Sequence, residues 1–193
     1  MKIIGRGAEA ITYVNEQGFL VKKRESKKYR LKILDDKIIK TRTKKEVKLL
    51  KKLEKHTPKV ITSNETEIVM EYLSGVLLKE IIDKEPELCK EVGKIISYMH
   101  DTNIVHGDLT TSNIIKKNND ELKLIDLGLG KVSKRYEDKA VDLHLFKESL
   151  ISKHHKIFNK AWTFFIENYN PEEKDKIITR LNEVELRGRN KKK

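Results

Sequence analysis

Cysteine is almost absent from this sequence: Cys89 stands alone in 193 residues. One thiol can build neither a disulfide framework nor a thiolate metal cluster. Within "PELCKEVGKIISYMH" it is spaced helically with Val92 and Ile96, which predicts a buried structural thiol. Long apolar runs are missing as well. No stretch approaches the roughly 18 residues of a membrane span, and the N-terminus shows no signal-peptide pattern. There is no internal repeat, and only the last residues look low in complexity. Together these absences speak against a disulfide-stapled domain, a membrane helix and a solenoid, and predict a soluble cytoplasmic protein of a reducing compartment.

Acids are in deficit too. Thirty Asp and Glu face forty-two Lys and Arg, for a net charge of +12 and a pI near 9.5. Such an excess suits a polyanionic partner; a lysine-rich solvated surface would carry it equally. Residues 22–32 hold seven bases against one acid, and the closing "RGRNKKK" holds five bases in seven. Hydrophobic and charged residues each make up 37%, so the interior must be economical. The length allows one substantial core or two small lobes.

The first third reads as strands and one helix. "KIIG", "AITYV" and "GFLVKKR" are short β-prone runs, with the turn "NEQG" between the last two. Ile38, Ile39, Val47, Leu50 and Leu53 then recur at near-helical intervals, predicting a helix from Asp35 to about Lys55. "TPKVITSN" and "EIVMEYL" read as two further strands. Beyond a linker near 72–76 the pattern turns helical: "SGVLLKEIIDK", "PELCKEVGKIISYMHDT" with Pro86 at its start, and nearly everything after Ala140. Two short apolar strands, "NIIKK" and "LKLIDLG", interrupt that half.

Five features bear on chemistry. "GRGAEA" (Gly5, Gly7, Ala8, Glu9, Ala10) lies between two strands, where glycines let a backbone approach phosphates; a plain hairpin turn would look the same. Lys22 alternates with Val21 on a strand and needs an acidic partner if it faces inward, and Glu46 in the basic helix is a suitable one. Alone, either could be a surface charge. "HGDLTTSN" sets Asp108 and Asn113 on a tight loop, either a metal-phosphate site or a polar turn. "LKLIDLG" ends an apolar strand on Asp126 beside a glycine, which suits Mg²⁺ because that ion takes one or two protein oxygens. "EIVMEYL" runs into the linker, where backbone groups could meet an adenine ring.

Their order decides between these alternatives. Glycine loop, strand lysine, helix glutamate, linker strand, D-x-x-x-x-N and D-x-G follow one another as in the protein-kinase phosphoryl-transfer apparatus. The chain resembles that superfamily over nearly its whole length. The resemblance implies an α+β bilobal kinase-like fold, with a strand-rich N-lobe (1–72) carrying one main helix, a helical C-lobe (73–186) and a basic tail (187–193). ATP and Mg²⁺ are the implied cofactors. Lys22 would anchor the α/β-phosphates, held by Glu46; Asp108 would be the catalytic base or water-orienting group; Asn113 and Asp126 would ligate Mg²⁺. Glu71 and Leu73 would offer backbone groups to adenine.

The departures narrow this further. Gly107 stands where such loops usually carry arginine, and "DFG" has become "DLG". Only Lys131 to Val141 separate Gly130 from Asp142, which looks like the helix acid that buttresses the catalytic loop. That leaves no extended activation segment and no "APE"-like signal, which disfavours a conventional peptide-docking kinase. "GAEA", "KKRESKKYR", "HGDLTTSN", "DLGLG", "EDKAVDLHLF" and "EVELRGRNKKK" in combination are similar to the small atypical serine/threonine kinase of the KEOPS complex, also called the p53-related protein kinase family. RIO-type kinases share the plan but fit "GAEA" and "LRGRNKKK" less well.

That resemblance implies an Mg²⁺-dependent ATPase with residual kinase activity, needed for threonylcarbamoylation of adenosine 37 in tRNAs reading ANN codons. The implied partners are an ASKHA-fold transferase subunit (fused to the kinase in some archaeal members), a small subunit on the N-lobe, and tRNA. Arg187, Arg189, Lys191, Lys192 and Lys193 are expected to form a flexible tail on tRNA phosphates. The rival readings are a genuine RIO-like kinase acting on a separate protein and a tRNA-binding scaffold without turnover. His106 is expected to support its loop by hydrogen bonding, and His144, His154 and His155 to lack the acid or cysteine that would complete a metal site. Trp162, Phe164 and Phe165 read as packing residues.

Overall fold

The computed structural model describes residues 2–7 and 9–190, with side chains through 187. The chain divides into two units, Met1–Ser74 and Gly75–Lys193.

The first unit is an antiparallel sheet with one long helix. Its strands are β1 (Lys2–Arg6), β2 (Ala10–Val14), β3 (Leu20–Arg24), β4 (Val60–Ser63) and β5 (Glu67–Met70), in the order β1-β2-β3-β5-β4. Tight turns set the registers. Asn15 accepts the Gln17 and Phe19 amides through Oδ1, and Gly18 takes φ +81°, so β2 returns directly into β3. Asn64 does the same service before β5, accepting the amides of Thr66 and Glu67. As a result β3 is central and Lys22 is flanked by Thr12 and Ile68.

Helix α1 spans Lys32–Lys52, three residues earlier at each end than the apolar spacing predicts. The start is set by a residue the pattern does not count. Asp35 is buried and accepts the Ser26 hydroxyl (2.7 Å) and the Lys27 amide (2.9 Å), which pins the chain entering the helix. The end is set by Thr57, whose hydroxyl caps the carbonyls of Leu50 and Leu53. Asp35, Ile39, Thr43, Glu46, Leu49 and Leu50 form the buried stripe, at spacings of three and four.

The second unit opens with strand β6 (Gly75–Leu77) and one helical turn, α2 (Leu78–Ile81), where the sequence predicts a single helix. Gly75 explains the difference: a Cβ there would lie 2.1 Å from the Lys116 carbonyl, so this backbone is drawn into a close strand pairing. Helix α3 (Leu88–Asp101) leads through β7 (Ile104–Val105) to the loop 106–113, then β8 (Ile114–Lys117) and β9 (Leu122–Leu124). Strand β10 (Lys131–Val132) pairs back onto β7, a two-residue ribbon too short to carry a sequence period. Helices α4 (Tyr136–Lys153), α5 (Phe158–Asn168) and α6 (Lys174–Asn190) complete the unit.

Its core packs α3 against α5, and α4 against α5 and α6. Phe165 sits 4.7 Å from Phe146 and 5.8 Å from Tyr169, ring centre to ring centre. Trp162 stacks on Phe165 and Phe164 lies beneath Lys90, both half-buried at the edge of that core. Cys89 is fully buried, and burial pushes its thiol up to about 12, so it is an inert structural thiol. Among the described residues no helix is long and apolar enough to cross a membrane.

Candidate functional site

In the first unit the strand period puts Lys22 and Arg24 on one face of β3, toward α1. Glu46, only 1% exposed, accepts both: Lys22 Nζ on Oε1 at 2.7 Å and Arg24 Nη2 on Oε2 at 2.6 Å. The Lys22–Glu46 pair matches the sequence expectation. Arg24 escaped it, although its i+2 spacing from Lys22 was the available signal. A carboxylate this buried is tolerable because each of its oxygens meets a cation.

The glycine loop joins β1 to β2. Thr12 donates its hydroxyl to the Gly5 carbonyl (3.2 Å), and the Gly7 amide bonds Ala10 O (2.9 Å). Neither glycine has positive φ, and a Cβ on Gly7 would meet only Ala10 O at 3.7 Å. The fold itself therefore does not demand glycine at position 7. Ala10 is buried at the start of β2, and Ala8 lies outside the described residues. The Glu9 carboxylate accepts from Arg42, with Arg24 at 3.6 Å and Arg30 at 3.8 Å. The Arg42 hydrogen bond, with the other guanidinium charges, holds this carboxyl below its usual range. At the end of the unit the Glu71 amide donates to Lys59 O (2.8 Å), and Leu73 is buried.

In the second unit the start of the loop 106–113 hangs from one buried acid. Asp142 on α4 accepts the amides of His106 (2.6 Å) and Gly107 (2.8 Å), and His100 Nε2 lies at 3.4 Å. Because Asp142 can only accept, His100 carries its proton on Nε2 and takes the Tyr169 hydroxyl on Nδ1 (2.7 Å). This Tyr169–His100–Asp142 chain ties α3, α4 and the end of α5 together, and no local spacing in the sequence announces it. His106 behaves as expected: Nε2 donates to Ile125 O (3.0 Å) and Nδ1 accepts the Asp108 amide (3.3 Å).

These bonds bring Asp108, Asn113 and Asp126 together. Asn113 gives its side-chain amide to the carbonyl and carboxylate of Asp108, at 2.8 and 2.9 Å. The Asn113 carbonyl accepts the Ile125 amide, which fixes the residue before Asp126. Asp126 itself is left-handed (φ +60°) and accepts the Gly128 amide. His154, which the sequence gives no role, is also engaged: Nδ1 donates to Asp83 (2.9 Å) and Nε2 accepts the Thr111 hydroxyl (3.2 Å). It braces the same loop from the far end of α4.

The interval after Gly130 is consumed by structure. Lys131 and Val132 form β10, the Ser133 amide bonds Asn103 O, and α4 begins at Tyr136. Gly107, in the place of the usual arginine, has φ +79°, and a Cβ there would lie 2.6 Å from Leu129 O. The turn Leu127–Leu129 occupies the space an arginine would need.

Residues 187–190 depart from the expected flexible tail. Helix α6 continues to Asn190, and Arg187 pairs with Glu137 on α4 at 3.0 Å. Arg189 lies within that helix with its side chain outside the described set, as are Lys191, Lys192 and Lys193.

A model of the RIO domain matches residues 11–144. The EKC/KEOPS complex subunit BUD32 of Enterocytozoon bieneusi is 39% identical, with 98% of each chain covered. The chain belongs to the Bud32 family of RIO-domain kinases. The KEOPS complex subunit Bud32 of Pyrococcus abyssi is 37% identical, covering 98% of this chain and 96% of that one. The probable bifunctional tRNA threonylcarbamoyladenosine biosynthesis protein of Methanococcus vannielii is 39% identical over 97% of this chain, which spans 36% of that longer protein. Among solved structures, the Rio2 kinase–ADP/Mg²⁺–phosphoaspartate complex from Chaetomium thermophilum superposes on all of this chain and 72% of its own, with a TM-score of 0.64 and 14% identity. The Bud32-family chain thus has a kinase-like fold.

Proposed function

We propose that the protein is an Mg²⁺-dependent ATPase subunit of a KEOPS complex, serving threonylcarbamoylation of adenosine 37 in tRNAs reading ANN codons, with serine/threonine phosphoryl transfer as a lesser activity. The observation that carries the ATPase reading is the interval between Gly130 and Asp142. Strand β10 and the first turns of α4 occupy it, leaving no segment on which a peptide could dock. Water is then the acceptor that needs no docking.

Lys22, held by Glu46, would carry the α/β-phosphates, and the loop at Gly5 and Gly7 would admit them closely. The Glu71 amide is already bonded to Lys59, so its carbonyl would be the group that meets adenine, beside Leu73. Asp108 would orient the attacking water and receive its proton as the bond from the γ-phosphorus to the leaving ADP oxygen breaks. Asn113 and Asp126 fit a hard cation. Their donors are all oxygen, and Asn113 has committed its Nδ2 to Asp108, which leaves Oδ1 for the metal. Mg²⁺ held there would neutralise phosphate charge.

Tyr29, Leu31, Ile33 and Leu34, between 55% and 85% exposed, give the proposed small subunit an apolar landing on the first unit. The transferase subunit and tRNA complete the proposed assembly, located in the cytoplasm. The test compares ATP hydrolysis and protein phosphorylation with and without transferase and tRNA, for wild type and Asp108→Ala. Hydrolysis that rises with partners and drops about a hundredfold or more in the variant is expected. Phosphorylation of a separate protein outpacing hydrolysis would instead make it a true kinase, and no turnover would leave a scaffold.

A further inference from the structure

Glu9 raises a question that the proposed nucleotide chemistry does not answer. A carboxylate turned toward a triphosphate would repel it, yet one stands in the loop, immediately before β2. The first unit resolves this by engaging that side chain elsewhere, on Arg42 from α1, Arg24 from β3 and Arg30 from the segment leading into α1. Arg24, with a side chain only 5% exposed, divides its guanidinium between two acids, Glu9 at 3.6 Å and Glu46 at 2.6 Å. Since Glu46 also holds Lys22, an unbroken chain runs from loop to strand: Glu9, Arg24, Glu46, Lys22. Arg30 makes a second link, from Glu9 to Asp35 on the same buried stripe of α1.

Neither Gly5 nor Gly7 is locked by positive φ; among the described residues the loop is held besides by the pairing of Gly5 with Thr12 and of Arg6 with Ile11, the Arg6–Glu25 ion pair, the Gly7–Ala10 and Glu25–Glu9 backbone bonds and the Thr12 hydroxyl. We propose that Glu9 is a positioning residue that clamps the phosphate loop to a guanidinium cluster and, through Arg24, couples the loop to the Lys22–Glu46 pair. Its carboxylate is no ligand of the nucleotide; its work is to hold the end of the loop, at Glu9, against β3 and α1. This deepens the ATPase reading and rests on it for the nucleotide arm alone.

The test uses the full chain with Glu9→Gln, Arg42→Gln, the double variant and Glu9→Asp. Amide exchange of the peptide covering residues 5–10, without nucleotide, reads the clamp directly. Both single variants should exchange on the order of tenfold faster, and Glu9→Asp should recover part of the protection. Mg-ATP titration should show affinity weakened by about five- to tenfold in each single variant, with the double no worse than the weaker single. KM should move while kcat holds. Unchanged exchange in Glu9→Gln would overturn the clamp, and so would additive weakening of affinity, since that marks a direct ligand. If Arg42→Gln does not fold, Arg42→Lys replaces it. Wild type that fails to bind Mg-ATP would overturn the ATPase reading, while the exchange arm still decides the clamp.

Discussion

Gly107 lies at φ +79° with the Leu129 carbonyl over the point where a Cβ would stand. The loop is anchored on both sides of the Gly107 Cα: the amides of His106 and Gly107 donate to Asp142, and the Asp108 amide donates to His106 Nδ1. It therefore cannot move aside to make room for a side chain. Gly107→Ala should lower stability by about 1–3 kcal/mol, from left-handed strain plus a clash with backbone that cannot yield. Urea denaturation measures it, and wild-type stability in the variant would contradict the account. Asp126 adopts a similar left-handed conformation (φ +60°), as do Asn103 and Asp120, which Asp and Asn tolerate better than most residues.

At the scale of elements, the crossing of α3 and α5 depends on Gly93. A Cβ there would lie 2.6 Å from the Phe165 carbonyl and 3.0 Å from the Tyr169 nitrogen, both backbone atoms. Ser97 reinforces the same crossing, donating to Gly93 O and accepting the Asn170 amide. Gly93→Ala should force the helices apart at a cost of about 1–3 kcal/mol, despite the higher helix propensity of alanine. It should also reduce ATP turnover, because Tyr169 at the end of α5 supports His100 and, through it, Asp142. Thermal melting together with turnover tests both; a stabilised variant would refute the close-crossing argument.

For the molecule as a whole, charge is the dominant theme. Of the seven bases in 22–32, Lys22, Lys23, Arg24 and Arg30 are in ion pairs with acids of the first unit, so over half of that cluster is paired within the unit. Several carboxyls lie below their usual range: Glu9 by the Arg42 hydrogen bond, Asp35 by the Ser26 hydroxyl, Glu173 by Lys176. A carboxyl whose folded value is depressed stabilises fully above its unfolded value, near 4.5 or below, and loses that contribution as pH falls through the folded one. Unfolding free energy should therefore be flat from about pH 7 to 5 and fall below about 4.5; stability that holds to pH 3 would refute the pairs. The proposed tRNA role belongs to the same scale. Replacing Arg189, Lys191, Lys192 and Lys193 with Gln should flatten the log–log salt dependence of tRNA binding by about 0.7–0.9 for each phosphate no longer neutralised. An unchanged slope would remove the tail from the interface. Arg187, tied to Glu137, is left in place as part of the α4–α6 packing.

How much of this was legible beforehand follows from the range of each interaction. Sequence alone determined the order of the parts, the strand that carries Lys22, its candidate partner Glu46, the buried Cys89 and the brevity of the interval before Asp142. Those rest on local spacing and chain order, which a linear reading preserves. The start of α1, the strand at Gly75, the β7–β10 ribbon, the His100–Tyr169 link to Asp142 and the bracing by His154 were decided only in the tertiary structure. Two-residue strands have no period, and a histidine or aspartate looks the same in sequence whether solvated or paired with a residue 69 or 36 positions away. Glu9 is the sharpest case. Its place in the loop suggested phosphate, and only folding brought three guanidiniums from separate elements to take its charge.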